Sequence, residues 1–210
     1  MSFIVFEGLD GSGKSSLMAA LERELSVRGI KTYLTREPGG TPLGDEIRQM
    51  ILRKEGPAPK ARTELLLYEA SRAQHVDEVI LPKLKQGIWV LSDRFAASSV
   101  AFQAGGREIA LDKVHWLNHF ATDGLEADLT VLLDLSVEES KKRREGRSQK
   151  TGESADRIES EADAFHEKVR QGFLSQAQAS PKWLVLDARL SPQDLFAELL
   201  AELKKRGFIK

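Results

Sequence analysis

Gly8-Leu9-Asp10-Gly11-Ser12-Gly13-Lys14-Ser15 carries the spacing G-x-x-x-x-G-K-S. An apolar run, Phe3-Ile4-Val5-Phe6, precedes it, and Leu17, Leu21 and Leu25 follow at helical intervals. Strand, glycine-rich turn and helix, in that order, are the context in which this spacing makes a phosphate-binding loop. The glycines let backbone N–H groups turn inward around phosphate oxygens, and the helix N-terminus adds its dipole. The expected triphosphate cradle is therefore Gly8, Leu9, Asp10, Gly11, Ser12, Gly13, Lys14, Ser15 and Ser16. Lys14 is placed to bridge the β- and γ-phosphates, and the Ser15 hydroxyl to join a Mg²⁺ shell.

Outward from this loop, short apolar runs alternate with longer helical patterns. Strands are expected over 3–6, 31–35, 89–92, 129–135 and 183–186. Helices are expected over about 43–53, 63–86, 111–122, 137–144, 162–177 and 192–206. Strands that are continuously apolar and separated by helices predict an α/β fold. The expected fold is a five-stranded parallel sheet doubly wound by helices, with right-handed crossovers. In such a sheet ligands sit at the carboxyl ends of the strands. With 210 residues, no internal repeat and no low-complexity linker, the chain reads as one domain over 1–210. The polar stretch 146–154 reads as a mobile loop.

Composition narrows the function classes. The chain is 41% hydrophobic and 30% charged, with a formal net charge of -1. A surface built to coat nucleic acid carries a basic excess, so no nucleic-acid partner is expected. The absence of cysteine excludes disulfides and thiolate metal sites. The apolar run at 3–6 is too short for a secretory core, and no run approaches the roughly 20 apolar residues of a membrane span. A cytoplasmic protein without a membrane partner is the expectation.

A phosphate loop by itself does not separate kinases from GTPases or ATP-driven machines. The N-K-x-D pattern by which GTPases read their base is missing from the sequence. An ATPase motor would end a strand in paired acids, whereas the third strand here runs into Ser92-Asp93-Arg94. One acid and one arginine at a strand's carboxyl end suit a Mg²⁺-bound phosphate with a second phosphate nearby.

Four segments then resemble the thymidylate kinase family in its bacterial form. They are 6–16, Thr35-Arg36-Glu37-Pro38-Gly39-Gly40-Thr41, 93–107 and Asp156-Arg157-Ile158-Glu159, with 65–74 also close. The similarity spans nearly the whole chain. It implies a nucleoside monophosphate kinase-like fold with a basic lid at about 143–160. The implied reaction is transfer of the γ-phosphoryl group of ATP to dTMP, giving dTDP and ADP, with Mg²⁺. A homodimer is also implied, for which the helix carrying Val114, Leu117 and Phe120 could serve. The competing readings are a nucleotide-binding ATPase or regulator without kinase activity, and a kinase for another monophosphate.

The resemblance implies roles residue by residue. Arg94 matches the arginine that grips the dTMP phosphate, and Asp93 the carboxylate that holds Mg²⁺ through water, beside Ser15. Glu37 and Arg48 match positions lining the monophosphate site, and Asp10 the acid near the sugar 3′-hydroxyl. Tyr68 stands where phenylalanine usually stacks on thymine, one helical turn before Arg72, which matches the donor to thymine O4. Ser99 and Gln103 match positions that bond the thymine edge. Phe102 replaces a tyrosine beneath the deoxyribose, where it disfavours a 2′-hydroxyl, and Phe95 likewise replaces a tyrosine.

The acceptor is a phosphate oxygen, mostly ionised because its second pKa is about 6. No general base is required, and the four histidines are expected on helix surfaces. Catalysis becomes alignment and charge neutralisation. In this family an arginine comes from the phosphate loop or from the lid. Gly11 follows Asp10 here, so the basic run 141–150 is the expected source. Arg147 and Arg157 are expected as phosphate contacts and Arg143 on the adenine side.

Overall fold

The computed structural model describes residues 1–152 and 154–210. Five strands form one sheet: β1 Phe3–Glu7, β2 Thr32–Arg36, β3 Trp89–Asp93, β4 Leu129–Asp134 and β5 Trp183–Asp187. Their order is β2-β3-β1-β4-β5 and every pairing is parallel. β1 lies between β3 and β4, with Phe6 opposite both Asp93 and Val131. The chain crosses first to one side of β1 and later to the other, so the sheet's switch point is where β1 ends. The phosphate loop leaves the sheet there.

The continuous apolar reading of β1 has a direct cause. Ile4 and Phe6 face a core shared with Leu17, Leu21 and Leu25 of helix α1 (Lys14–Val27). Leu195, Leu199 and Leu203 of α9 (Pro192–Lys205) complete that layer. Phe3 and Val5 face the opposite core, with Val76, Ile80, Val90 and Phe95. A strand buried on both faces has no polar alternation to show.

The remaining helices are α2 Pro42–Leu52, α3 Ala61–His75, α4 Leu81–Lys85, α5 Ala96–Ser99, α6 Leu111–Thr122, α7 Val137–Thr151 and α8 Asp163–Ala179. Side-chain caps mark three of the N-termini. Thr41 Oγ1 accepts from Gly44 N, Ser136 Oγ from Glu139 N, and Ser191 Oγ from Asp194 N. Each satisfies a backbone donor that the helix itself leaves unpaired.

Three expectations change. The long helix expected over 63–86 is α3, a π-helical turn at Val76–Ile80, and α4. A further helical stretch, α5 continuing as π helix through Val100–Gly106, was not foreseen, because Ala-Ala-Ser-Ser has neither apolar periodicity nor a strong cap. The expected loop from 146 is helical through Thr151. Gly146 sits inside α7, and Gly152 is the glycine that ends it, with φ 73 and its N–H bonded 2.9 Å to Ser148 O. The part of that expectation at Glu153 lies outside the described residues. Among the described residues, no helix is long and apolar enough to cross a membrane.

Candidate active site

The phosphate loop is tight enough to demand glycine where it turns. A Cβ on Gly8 would lie 2.5 Å from Leu133 O, and its φ of 132 is open to glycine alone. The loop folds Lys14 inward, where its ammonium donates to Gly8 O at 3.2 Å and Leu9 O at 3.3 Å. It also stands 3.9 Å from both Asp10 Oδ1 and Asp93 Oδ1. Burial, followed by the charge on Arg94, pushes the ammonium's pKa down against the pull of these carboxylates. Ser12 Oγ is buried without a hydrogen-bond partner, as is Asp93 Oδ1. Ser15 Oγ lies 3.4 Å from Asp93 Oδ2.

These orphaned atoms bear on Mg²⁺. Among the described residues no three acids or histidines cluster to cage a metal. Mg²⁺ in phosphotransfer sites keeps most of its waters and takes one or two protein oxygens plus phosphates. A hydroxyl and a carboxylate with an unengaged oxygen fit that kind of shell.

Arg94 follows β3 with φ 74, a left-handed conformation that strains a non-glycine residue. Two contacts hold the turn: Arg94 N donates to Phe6 O at 2.9 Å, and Ser92 Oγ donates to Arg94 O at 2.8 Å. The guanidinium is thereby aimed across the loop. Its Nη2 donates to Asp10 Oδ1 at 2.9 Å, its Nη1 to Ser98 Oγ at 3.3 Å, and Cζ lies 4.9 Å from the Phe102 ring centre. Burial raises the Asp10 carboxyl, but Arg94 and Lys14 outweigh it and hold the group well below the usual carboxylate range.

Glu7, the last residue of β1, was passed over in the sequence. It is wholly buried, accepts from Phe95 N at 3.0 Å and Ser98 Oγ at 2.7 Å, and lies 3.7 Å from Arg94. A charged residue closing an otherwise apolar strand was the available signal. Burial pushes its carboxyl from 4.5 up to about 7, against Arg94 and the hydrogen bonds. An acid raised in the native state binds protons on folding, so stability falls as pH rises from about 4.5 to about 7 and is level above. Glu7 accounts for at most about 3 kcal/mol of that fall. Urea titrations at pH 5 and pH 8 should show a smaller loss in Glu7→Gln than in the unmodified protein. Equal losses would remove Glu7 as the cause.

Beyond Arg94 a cavity opens. The structure brings Asp10, Glu37, Arg48, Tyr68, Arg94, Phe102 and Gln103 to its wall, all expected there, together with Ser98 and Asp156, which were not. Arg48 Nη1 donates to Pro38 O at 3.0 Å, so it is an engaged wall residue. Burial and the Glu64 carboxylate push the Tyr68 hydroxyl up, keeping it protonated.

Arg72 and Ser99 do not line the cavity. Arg72 is 1% exposed and its guanidinium is largely committed. Nε donates to Glu37, Nη1 to Glu69, Ser99 and Asn118, and Nη2 to Phe95 O. A guanidinium has five N–H groups, and these five contacts hold the side chain behind the wall. Ser98 takes the wall position because consecutive helical residues point about 100° apart.

The histidine expectation fails in part. His75 is fully buried, with Nδ1 3.1 Å from Glu37 Oε1 and Nε2 2.7 Å from Thr35 Oγ1, and His166 is also buried. His115 and His119 are exposed, as expected.

α7 lies directly on the phosphate loop. Ser140 Oγ donates to Asp10 O at 2.8 Å, and a Cβ on Gly11 would come within 3.2 Å of Arg143 Cβ. Gly11 therefore does more than omit a basic side chain, since it makes room for the helix that carries them. Arg143 donates to Gly11 O at 3.4 Å and to Ala188 O, just past β5, at 2.9 Å. Arg144, not singled out in the sequence, bonds Glu159 O, and its charge helps hold Asp10 down. Arg147 pairs with Glu159 at 2.6 Å. Arg157 donates to Ile51 O and to Glu64 Oε2, both at 2.7 Å. The two expected phosphate contacts thus engage protein carboxylates and a carbonyl, while Arg143 and Arg144 are α7 cations beside the loop.

A phosphate loop, an acid–arginine pair at the end of β3 and a cavity beside them are the parts that a site for two phosphorylated ligands needs. The family model for thymidylate kinase matches residues 6–199. A thymidylate kinase of Bdellovibrio bacteriovorus is 70% identical over 207 residues, covering 98% of this chain and 97% of that protein. One from a Nostoc species is 45% identical over 193 residues, covering 91% and 90%. One from Carboxydothermus hydrogenoformans is 43% identical over 209 residues, covering 99% and 96%.

Proposed function

The chain belongs to the thymidylate kinase family, and from that premise we propose that dTMP occupies the cavity beside Arg94 while the phosphate loop holds ATP. The enzyme is a dTMP kinase, an ATP-dependent phosphotransferase of nucleotide biosynthesis. The observation that carries the assignment of the two pockets is the half-buried Asp10–Arg94 pair, which joins the loop holding Lys14 to the wall of the cavity.

Arg94 grips the dTMP phosphate and points one ionised oxygen at the γ-phosphorus. No residue has to remove a proton, which accords with the structural bonding of His75. Lys14 bridges the β- and γ-phosphates, and Ser15 and Asp93 would hold Mg²⁺. When bound, the metal would neutralise charge on the phosphates. Arg143 covers the adenine side, beside Ala188. Arg147 and Arg157 join the transferring group only if the lid, about 143–160, releases them from Glu159 and Glu64. Around dTMP, Tyr68 stacks on the base and Phe102 lies beneath the sugar, where a 2′-hydroxyl would be crowded. Asp10 meets the 3′-hydroxyl, Glu37 and Arg48 line the phosphate side, and Gln103 bonds the base edge, while Arg72 braces the wall from behind through Glu37 and Ser99.

Purified protein with ATP and Mg²⁺ should release ADP stoichiometrically with dTDP when dTMP is added. ADP at the same rate without any monophosphate would instead indicate an ATPase or regulator, and the kinase reading would be lost. The reading includes action in the cytoplasm, where ATP is supplied.

It also includes a homodimer through α6. Trp116 is 66% exposed and Phe120 73%, and their rings stack with centroids 5.9 Å apart. Two aromatics displayed this way form the kind of apolar patch that interfaces cover. Val114, by contrast, is core. Phe120→Glu should sediment as a monomer at concentrations where the unmodified chain is dimeric. An unchanged sedimentation coefficient would move the interface elsewhere.

A further inference from the structure

Gln103 faces two ways. It lines the cavity, and its Nε2 donates to Glu64 Oε1 at 2.9 Å. An ionised carboxylate accepts hydrogen bonds and donates none. The contact therefore fixes the orientation of the amide, with Nε2 turned to Glu64 and Oε1 left for the cavity. With the amide turned over, Oε1 would meet a carboxylate oxygen, acceptor against acceptor.

Glu64 is almost fully buried on α3, so its own charge needs support. Arg107 Nε reaches Oε1 and Arg107 Nη2 reaches Oε2, both at 3.1 Å, while Arg157 Nη2 reaches Oε2 at 2.7 Å. Burial works against ionisation, but the bonds from Arg107, Gln103 and Arg157 hold the carboxyl below its ordinary range. Glu64 stays a pure acceptor at neutral pH.

Resting on the reading that the cavity holds a pyrimidine monophosphate, we propose that Glu64 is a specificity-determining positioning residue. By committing Gln103 Nε2, it presents Oε1 to the base. Thymine and uracil carry an N3–H donor that this oxygen accepts. Cytosine carries an unprotonated N3, which would face the oxygen lone pair to lone pair. Glu64 thus selects the base without touching it. The carboxylate also seats Arg157 of the segment after α7, so a single group sets the polarity of the base-reading amide and anchors that segment.

The test uses dUMP and dCMP, which both lack the 5-methyl group and differ at the hydrogen-bonding edge. kcat/KM is measured for each with MgATP, alongside dTMP. The unmodified enzyme should favour dUMP. Glu64→Gln offers Gln103 Oε1 an amide donor, permits the flipped amide, and should lower the dUMP-to-dCMP ratio at least about tenfold. Because Glu64→Gln leaves two half-buried arginines short of charge and could fail to fold, Glu64→Asp is measured in parallel. It keeps the charge facing Arg107 and Arg157 but withdraws the carboxylate from Gln103, and the ratio should fall again. Parallel losses on both nucleotides with the ratio unchanged would make Glu64 merely structural and overturn the proposal. If the unmodified enzyme phosphorylated neither dTMP nor dUMP, the reading of the cavity would fail and the proposal with it.

Discussion

Arg94→Ala should lower kcat/KM for dTMP by roughly 10²–10³-fold, the loss that follows removal of one preorganised donor from a transition state. The magnitude rests on how completely the side chain is prepared before substrate arrives. Its backbone is held at φ 74, its Nη2 is bonded to Asp10, and its face lies over Phe102. Burial would lower its pKa, but Asp10, Glu7 and Asp93 hold it up, so the charge is permanent. A phosphate entering the cavity meets a cation that needs little reorganisation. Arg94→Lys should rescue little, because a single ammonium cannot engage Asp10 and a phosphate in the forked geometry of a guanidinium. Steady-state kinetics on both variants decide the matter. A kcat/KM for Arg94→Ala within about fivefold of the unmodified enzyme would be too small for the loss of such a donor.

How much of this site was legible in the sequence depended on the kind of signal. The phosphate loop was fully legible, because Gly8, Gly13, Lys14 and Ser15 each answer a local requirement of backbone or charge. The strands were legible to within a residue or two: β1, β3 and β4, buried on both faces, show as unbroken apolar runs, while the half-buried edge strand β2 was placed by the glycine that closes α1 before it. Asp93 and Arg94 could be placed because they end such a run. Other features needed the third dimension. Glu7 looks like a strand terminus until the chain at Phe95 and Ser98 folds back over it. Ser98 and Ser99 are indistinguishable in sequence, and helical phase alone separates the wall residue from the one bonded to Arg72. α7 was legible over 137–144 but is polar beyond, so nothing marked its continuation, and Gly146 was a plausible stop until Gly152 supplied the left-handed one. Glu64, Arg107 and Arg157 lie 43 and 93 residues apart along the chain from the glutamate's position, and only packing reveals that they share one carboxylate.

Lys14→Met should reduce phosphotransfer by roughly 10³-fold or more, comparable to loss of a charge that stabilises a transferring phosphoryl group, and should do so without lowering the melting temperature. The second half is the sharper claim. The ammonium is buried, and burial together with Arg94 disfavours its charged form. Its contacts within the protein are modest: two carbonyls at 3.2 and 3.3 Å and two carboxylates at 3.9 Å. An unbranched apolar chain of similar length fills the same space, relieves the desolvation, and removes a cation from beside Arg94, which still neutralises Asp10. Stability is therefore expected to hold or rise as activity disappears, the trade-off seen where a site stores unfavourable charge for its ligand. Thermal melts and ADP release on one preparation test both halves. A fall of several degrees in melting temperature would mean that the carboxylates of Asp10 and Asp93 depend on Lys14 in the free protein. The lysine would then be a structural counter-ion first, and the charge it brings to a bound triphosphate would be diverted from an existing ion pair rather than waiting unspent.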